Sequence, residues 1–225
     1  MVTFMYDSPE FKQYREESAH HNGELTFLES IARPGMTAVG VGANTGATCV
    51  ALAKAVGEHG RVYAFEPRVE PFDALKDNMS ANDVGAIVDC HRLVLGDHVG
   101  EVPFYVDGEG SGVVAKDGIE PIPTGTTTMD AFVAEHGIES VAVINMDCEG
   151  SELLVLEGGE QTLRASHPQI FCEVHHQFGV VVDDLVSFLE DLGYHVEPLF
   201  ADDMSKEVSF AECTHVYANY PDSVE

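Results

Sequence analysis

Positive charge is what this sequence has least of. Lysine and arginine together make up 11 of its 225 residues, against 39 aspartates and glutamates, for a formal net charge of −28. A surface of that sign repels phosphate backbones and anionic headgroups, so nucleic acid and membrane are excluded as partners. The acids occur in every segment and not in one tail, so they read as a solvated surface suited to a high-salt cytoplasm. Such a chain is expected to lose stability at low ionic strength, where its self-repulsion is unscreened. Cysteine is sparse as well. Cys49, Cys90, Cys148, Cys172 and Cys213 are odd in number and widely spaced, which excludes a disulfide framework and a zinc pattern. Cys90, Cys148 and Cys172 lie in apolar runs, where a thiol behaves as a small hydrophobe. No apolar run reaches the ~18 residues of a membrane span, and no signal peptide is read at the start. A cytoplasmic location is expected.

What is present is a regular alternation of strand and helix signals. Strands are expected at Thr37–Ala43, Arg61–Phe65, Ile87–Leu95, Glu101–Val106, Val141–Met146, Gln169–Val174, Tyr194–Phe200 and Thr214–Asn219. Helices are expected at Glu24–Ile31, Gly46–Val56, Glu70–Ala81, Met129–Glu135 with Thr128 as N-cap, Ser151–Leu163 and Asp184–Leu192. That order argues for an α/β, doubly wound, mostly parallel sheet of about seven strands. The last two strands have only the polar loop Ala201–Cys213 between them, so they are expected to pair antiparallel at one edge. One domain spanning 1–225 is expected. Residues 1–35 form a helical lead-in, and 101–127 a Pro- and Gly-containing excursion over the site.

The chemistry starts at Val41-Gly42-Ala43-Asn44-Thr45-Gly46, where the first strand breaks into a small-residue turn and opens a helix. The second strand ends in Glu66-Pro67, which sets a carboxylate where both hydroxyls of a ribose can be accepted. A dinucleotide loop of the G-x-G-x-x-G type counted from Gly40 requires glycine at position 45, which is Thr45. Counted from Gly42 the run is G-x-N-x-G, a spacing that suits the methionine part of S-adenosylmethionine. This disfavours a nicotinamide-dependent oxidoreductase. Leu95, Gly96 and Asp97 close the third strand, where adenine is expected, with Asp97 as acceptor for its amino group. Asp107 to Gly112 begins like a calcium loop, but its twelfth position is Gly118 and not glutamate. It reads instead as a flexible loop in which Ser111 reaches the pocket.

These segments, together with Ile144-Asn145-Met146-Asp147-Cys148-Glu149-Gly150-Ser151-Glu152, resemble the FkbM family of S-adenosylmethionine-dependent methyltransferases from about Glu24 to about His175. The resemblance implies a class I methyltransferase fold, S-adenosylhomocysteine as product, and O-methyl transfer to sugars and other natural products. One position departs from related enzymes. They usually carry an acid two residues before the first turn glycine, where this chain has Gly40. Glu24 resembles an upstream acid of the family and is the candidate to compensate.

Methyl transfer to oxygen needs alignment of the nucleophile and a sink for its proton. Asp147 ends a buried apolar strand, where a carboxylate is costly without a task. Glu149 follows in the loop, and Glu152 reads as helix capping. Glu173 and His175 end the next strand, and a neutral imidazole there suits a base. Asp147, Glu149, Glu173 and His175 also have the ligand types for magnesium or manganese, although no spacing fixes a geometry and a metal is not the favoured reading. The expected partner is a small-molecule or glycan acceptor, and a homo-oligomer is compatible with this. A cofactor-binding protein without catalysis is the alternative from another class.

Overall fold

The structure, a computed structural model, describes Phe4, Tyr6 and residues 19–176, 181–199 and 208–221. The expected N-terminal lead-in falls largely outside these residues, as does the 201–207 part of the polar loop. The described chain opens with helix α1 (Ala19–Ile31), strand β1 (Thr37–Val41), α2 (Ala47–Val56), β2 (Arg61–Phe65), α3 (Val69–Ala81) and β3 (Val88–His91). Then come β4 (Val94–Leu95), β5 (Gly100–Phe104), β6 (Ile122–Thr127), α4 (Met129–His136) and β7 (Val143–Met146). It closes with α5 (Glu152–Glu157), α6 (Glu160–Ser166), β8 (Gln169–Glu173), α7 (Val182–Asp191), β9 (His195–Leu199) and β10 (His215–Asn219).

The main sheet has seven strands in the order β3-β2-β1-β7-β8-β10-β9. Strands β3, β2, β1, β7 and β8 run parallel, and β10 lies antiparallel between β8 and β9. The expected doubly wound sheet and its antiparallel edge are both present. Side chains alternate between two cores, one on each face. Val39, Tyr63, Phe65, Ile144 and Ile170 face one way, against α4 to α7. Ala38, Val62, Ala64, Val143 and Phe171 face the other, against α1 to α3. Burial on both faces explains why these strands read as nearly continuous apolar runs. The strand order reverses between β1 and β7, and a crevice opens outside the carboxyl ends of strands at such a switch point.

Three elements differ from expectation. Ile87–Leu95 is not one strand. It divides into β3, which pairs with β2, and β4, which pairs with β6 in a separate three-stranded sheet, β4-β6-β5. The excursion before Thr127 therefore ends in a strand and not in a loop. Ser151–Leu163 is not one helix either. The backbone packs tightly at Gly158, where a Cβ would sit 1.9 Å from the Gly96 carbonyl oxygen. A second helix then starts under Asp130, whose carboxylate accepts from Gln161 N–H at 3.0 Å and Thr162 N–H at 2.8 Å. The expected cap at Thr128 forms, its Oγ1 accepting from Ala131 N–H at 3.0 Å.

Candidate active site

The turn after β1 is built by close approach. Gly42 has φ +73°, and a Cβ there would lie 1.6 Å from the Asp147 carbonyl oxygen, so only glycine lets the ends of β1 and β7 meet. Its N–H and that of Ala43 donate to the Phe65 carbonyl at 3.0 and 2.8 Å, and Asp147 N–H donates to Val41 at 3.0 Å. Three strand ends are thus tied at one point. Gly46, φ +96°, packs against Leu75 and Met79 of α3. Asn78, fully buried on the same helix, donates to the Thr45 carbonyl at 2.8 Å and supports the turn from below. Two non-glycine residues here adopt positive φ, Asn44 at 48° and Glu149 at 54°, and such backbone strain gathers at functional sites.

Gly40 has a packing reason. A Cβ at that position would lie 2.9 Å from the Cys49 sulfur of α2, so any side chain there would have to displace the buried thiol.

Two clefts meet at this point, and Gly42, Asn44, Asp147 and Glu149 line both. The first runs along β2 and is walled by Val41, Phe65, Pro67, Leu95 and Phe104, with Ser111 at its edge. Glu66 lies at its floor, 1% exposed. Its Oε2 accepts from Asn44 N–H at 2.9 Å, and its Oε1 accepts from the N–H and the Nε of Arg68, both at 2.9 Å. Arg68 Nη1 also donates to the Gly108 carbonyl at 2.7 Å, and Ser111 Oγ bonds Asp107 N–H and the Gly108 carbonyl, each at 2.8 Å. The 107–112 loop is therefore fastened to the strand-end carboxylate through one guanidinium. Leu95 lines this cleft. Gly96 and Asp97 are not among its lining residues, and Asp97 faces solvent with Oδ1 2.7 Å from His98 Nδ1.

The second cleft, of about 300 Å³, falls within the range of small-ligand sites. Ala43, Thr45 and Gly46 line it, with Glu24, Glu173 and His215 opposite. Glu24 Oε1 meets His215 Nε2 at 2.9 Å, and His215 is buried and stacked on Phe171 at 4.6 Å between ring centroids. Behind Asp147 lies His175, 4% exposed. Its Nε2 is 3.4 Å from Asp147, 3.5 Å from Glu149 and 3.9 Å from Glu173. Its Nδ1 is 2.7 Å from Glu152 Oε1. Burial and the neighbouring Glu173 push Asp147 well above the usual carboxylate range, with His175 opposing. Burial likewise raises Glu149.

The four catalytic candidates are therefore brought together, with Glu24 across the cleft. Sequence reading missed Arg68, Asn78, His215 and the part played by Glu152. Only Arg68 had a local signal, as a cation two residues after the expected ribose acid.

The donors suit a cationic ligand that carries an adenosine. A buried carboxylate stands beside an apolar slot, and four further acids gather at the other end. Among the described residues, Arg68 is the only lysine or arginine lining either cleft. Two trios, Asp147–Glu149–His175 and Glu24–Glu173–His215, also hold their donor atoms within 4.8 Å, close enough for a divalent ion.

The Methyltransferase FkbM domain matches residues 40–196. A 31-O-demethyl-FK506 methyltransferase, FkbM, of Streptomyces tacrolimicus is 29% identical over 75% of this chain and 78% of its own length. A hexuronic acid methyltransferase, AglP, of Haloferax volcanii is 29% identical over 67% of this chain and 60% of its own. Among solved structures, methyltransferase FkbM of Methylobacillus flagellatus superposes with TM-score 0.57 at 17% identity, over 89% of this chain and 52% of that one. A SAM-dependent O-methyltransferase of Thermotoga maritima gives TM-score 0.53 at 16% identity, over 88% of this chain and 64% of that one. The chain thus spans about half the length of the first of these structures. No helix among the described residues is long and apolar enough to cross a membrane. With the family model covering well over half of its length on a fold shared with these enzymes, the chain belongs to the FkbM family of methyltransferases, class I enzymes that depend on S-adenosylmethionine.

Proposed function

We propose that this chain transfers a methyl group from S-adenosylmethionine to a hydroxyl oxygen of a small-molecule or sugar acceptor. The observation that carries the reading is the convergence of Asp147, Glu149, Glu173 and His175 beside the Gly42–Gly46 turn. When bound, S-adenosylmethionine supplies an electrophilic methyl on a sulfonium. A hydroxyl attacks poorly until it loses its proton, and Asp147 with His175 provides the sink. Glu149 and Glu173 orient the acceptor. The acceptors named for the two curated relatives, 31-O-demethyl-FK506 and a hexuronic acid, support an oxygen nucleophile.

Glu66 is proposed to receive the ribose hydroxyls. It has two backbone donors, Asn44 N–H and Arg68 N–H, that keep its carboxylate in place when the Arg68 guanidinium withdraws. Pro67 and Leu95 wall the adenosine side. The Gly42–Gly46 turn cradles the methionine, and Glu24, held by His215, faces its ammonium in place of the acid missing at position 40. The whole chain acts as one methyltransferase domain. The charge of −28 and the haloarchaeal relative support a high-salt cytoplasm.

Thermal unfolding in high salt tests the cofactor: S-adenosylmethionine raises the midpoint and NAD(P) does not. A screen of polyols and sugars for S-adenosylhomocysteine release then tests transfer. Stabilisation without release on any acceptor would support a binding protein instead.

A further inference from the structure

We propose that Glu152 is a positioning residue for the reaction, holding the His175 ring so that Nδ1 carries a proton toward Glu152 and Nε2 faces Asp147 and Glu149. The inference rests on the proton sink given above to Asp147 with His175 beside it. Glu152 is the first residue of α5 and is fully buried. Its Oε1 accepts from Gly150 N–H at 3.1 Å and lies 2.7 Å from His175 Nδ1. A carboxylate oxygen can only accept, and its hydrogen bond favours the protonated imidazole, so Nδ1 is the donor. The ring is thereby fixed at one end, and its other nitrogen lies 3.4 to 3.9 Å from three carboxylates at the mouth of the cleft.

Helix capping does not account for this residue. Its second oxygen, Oε2, is buried with no hydrogen-bond partner among the described residues. A carboxylate held that way costs stability, and a cap needs only a solvated acid at the same place. Its charge also reaches the buried thiols of Cys148 and Cys172, both held well above the usual thiol range by burial first and Glu152 second. Among the described residues, those facing His175 include Asp147 and Glu149 from the loop after β7, Glu152 from α5 and Glu173 from the end of β8. Burial alone would lower the imidazole. The hydrogen bond and charge of Glu152, with Asp147 and Glu149, overcome that and raise it to about 9.

The test is nitrogen-15 spectroscopy of histidine-labelled protein in high salt, which needs neither acceptor nor turnover. In the unaltered chain at a pH of about 10, the neutral His175 ring shows Nδ1 protonated and Nε2 bare. In Glu152→Gln the His175 titration midpoint falls by about one pH unit or more, while calorimetric binding of S-adenosylmethionine is unchanged. A ring protonated at Nε2 in the unaltered chain overturns the inference whether or not any variant folds. So does a midpoint unmoved in Glu152→Gln, the result a merely structural acid would give. Failure of the methyltransferase reading would appear separately, as no release of S-adenosylhomocysteine from the unaltered chain.

Discussion

The two ends of the crevice answer the same problem, a carboxylate at the end of a buried strand, in opposite ways. At the β2 end, Glu66 is surrounded by donors: two backbone N–H groups and the Arg68 guanidinium. At the β7–β8 end, Asp147, Glu149, Glu152 and Glu173 share one histidine, and one oxygen of Glu152 has no hydrogen-bond partner among the described residues. A saturated carboxylate is built to recognise hydroxyl donors once its own cation steps aside. An undersupplied cluster with raised proton affinity is built to take a proton or hold a cation. On the function proposed above, the first end binds and the second reacts.

That division breaks most visibly at Asp147. Asp147→Asn is expected to lower transfer by ~10²- to 10⁴-fold, measured as S-adenosylhomocysteine release. Equal activity in that variant would remove Asp147 from the chemistry. Gly42 joins the two ends and should damage both. Gly42→Ala places a methyl 1.6 Å from the Asp147 carbonyl at φ +73°, and a loss of about 3 kcal/mol or more is expected in denaturant unfolding.

The reacting end should also imprint itself on stability against pH. His175 is raised in the fold to about 9 from its usual 6.5. Its contribution is therefore fully present below about pH 6.5 and is lost as pH rises through about 9, a decline on the order of a few kcal/mol. Unfolding at constant high salt should show that slope, and His175→Asn should flatten it. The binding end gives the smallest effect. Arg68→Ala removes the guanidinium from Glu66 and one tether from the 107–112 loop, so S-adenosylmethionine should bind a few-fold tighter to a slightly less stable protein. Calorimetry with thermal unfolding checks both.

The binding end was the more legible in sequence because its parts are local. Gly42, Asn44 and Gly46 lie within one turn, Glu66 ends the next strand, and Arg61–Phe65 has the bounds its pattern predicts. Its departures come from partners far along the chain. Leu95 separates from β3 because β6, some thirty residues later, claims it, and Asp97 turns outward with that change. At the reacting end, Asp147, Glu149, Glu173 and His175 were visible as acids and an imidazole closing apolar strands. Glu152 was not, because its partner lies 23 residues away and a glutamate opening a helix has an ordinary explanation at hand. The break at Gly158 was hidden for the same reason: the backbone it must clear, at Gly96, is distant in sequence.

Paired calorimetric titration of S-adenosylmethionine into Glu66→Ala and Asp147→Asn in high salt separates binding from reaction. Binding is expected to be lost in Glu66→Ala and kept in Asp147→Asn. Binding that survives without Glu66, or disappears with Asp147→Asn in a folded protein, would contradict that separation.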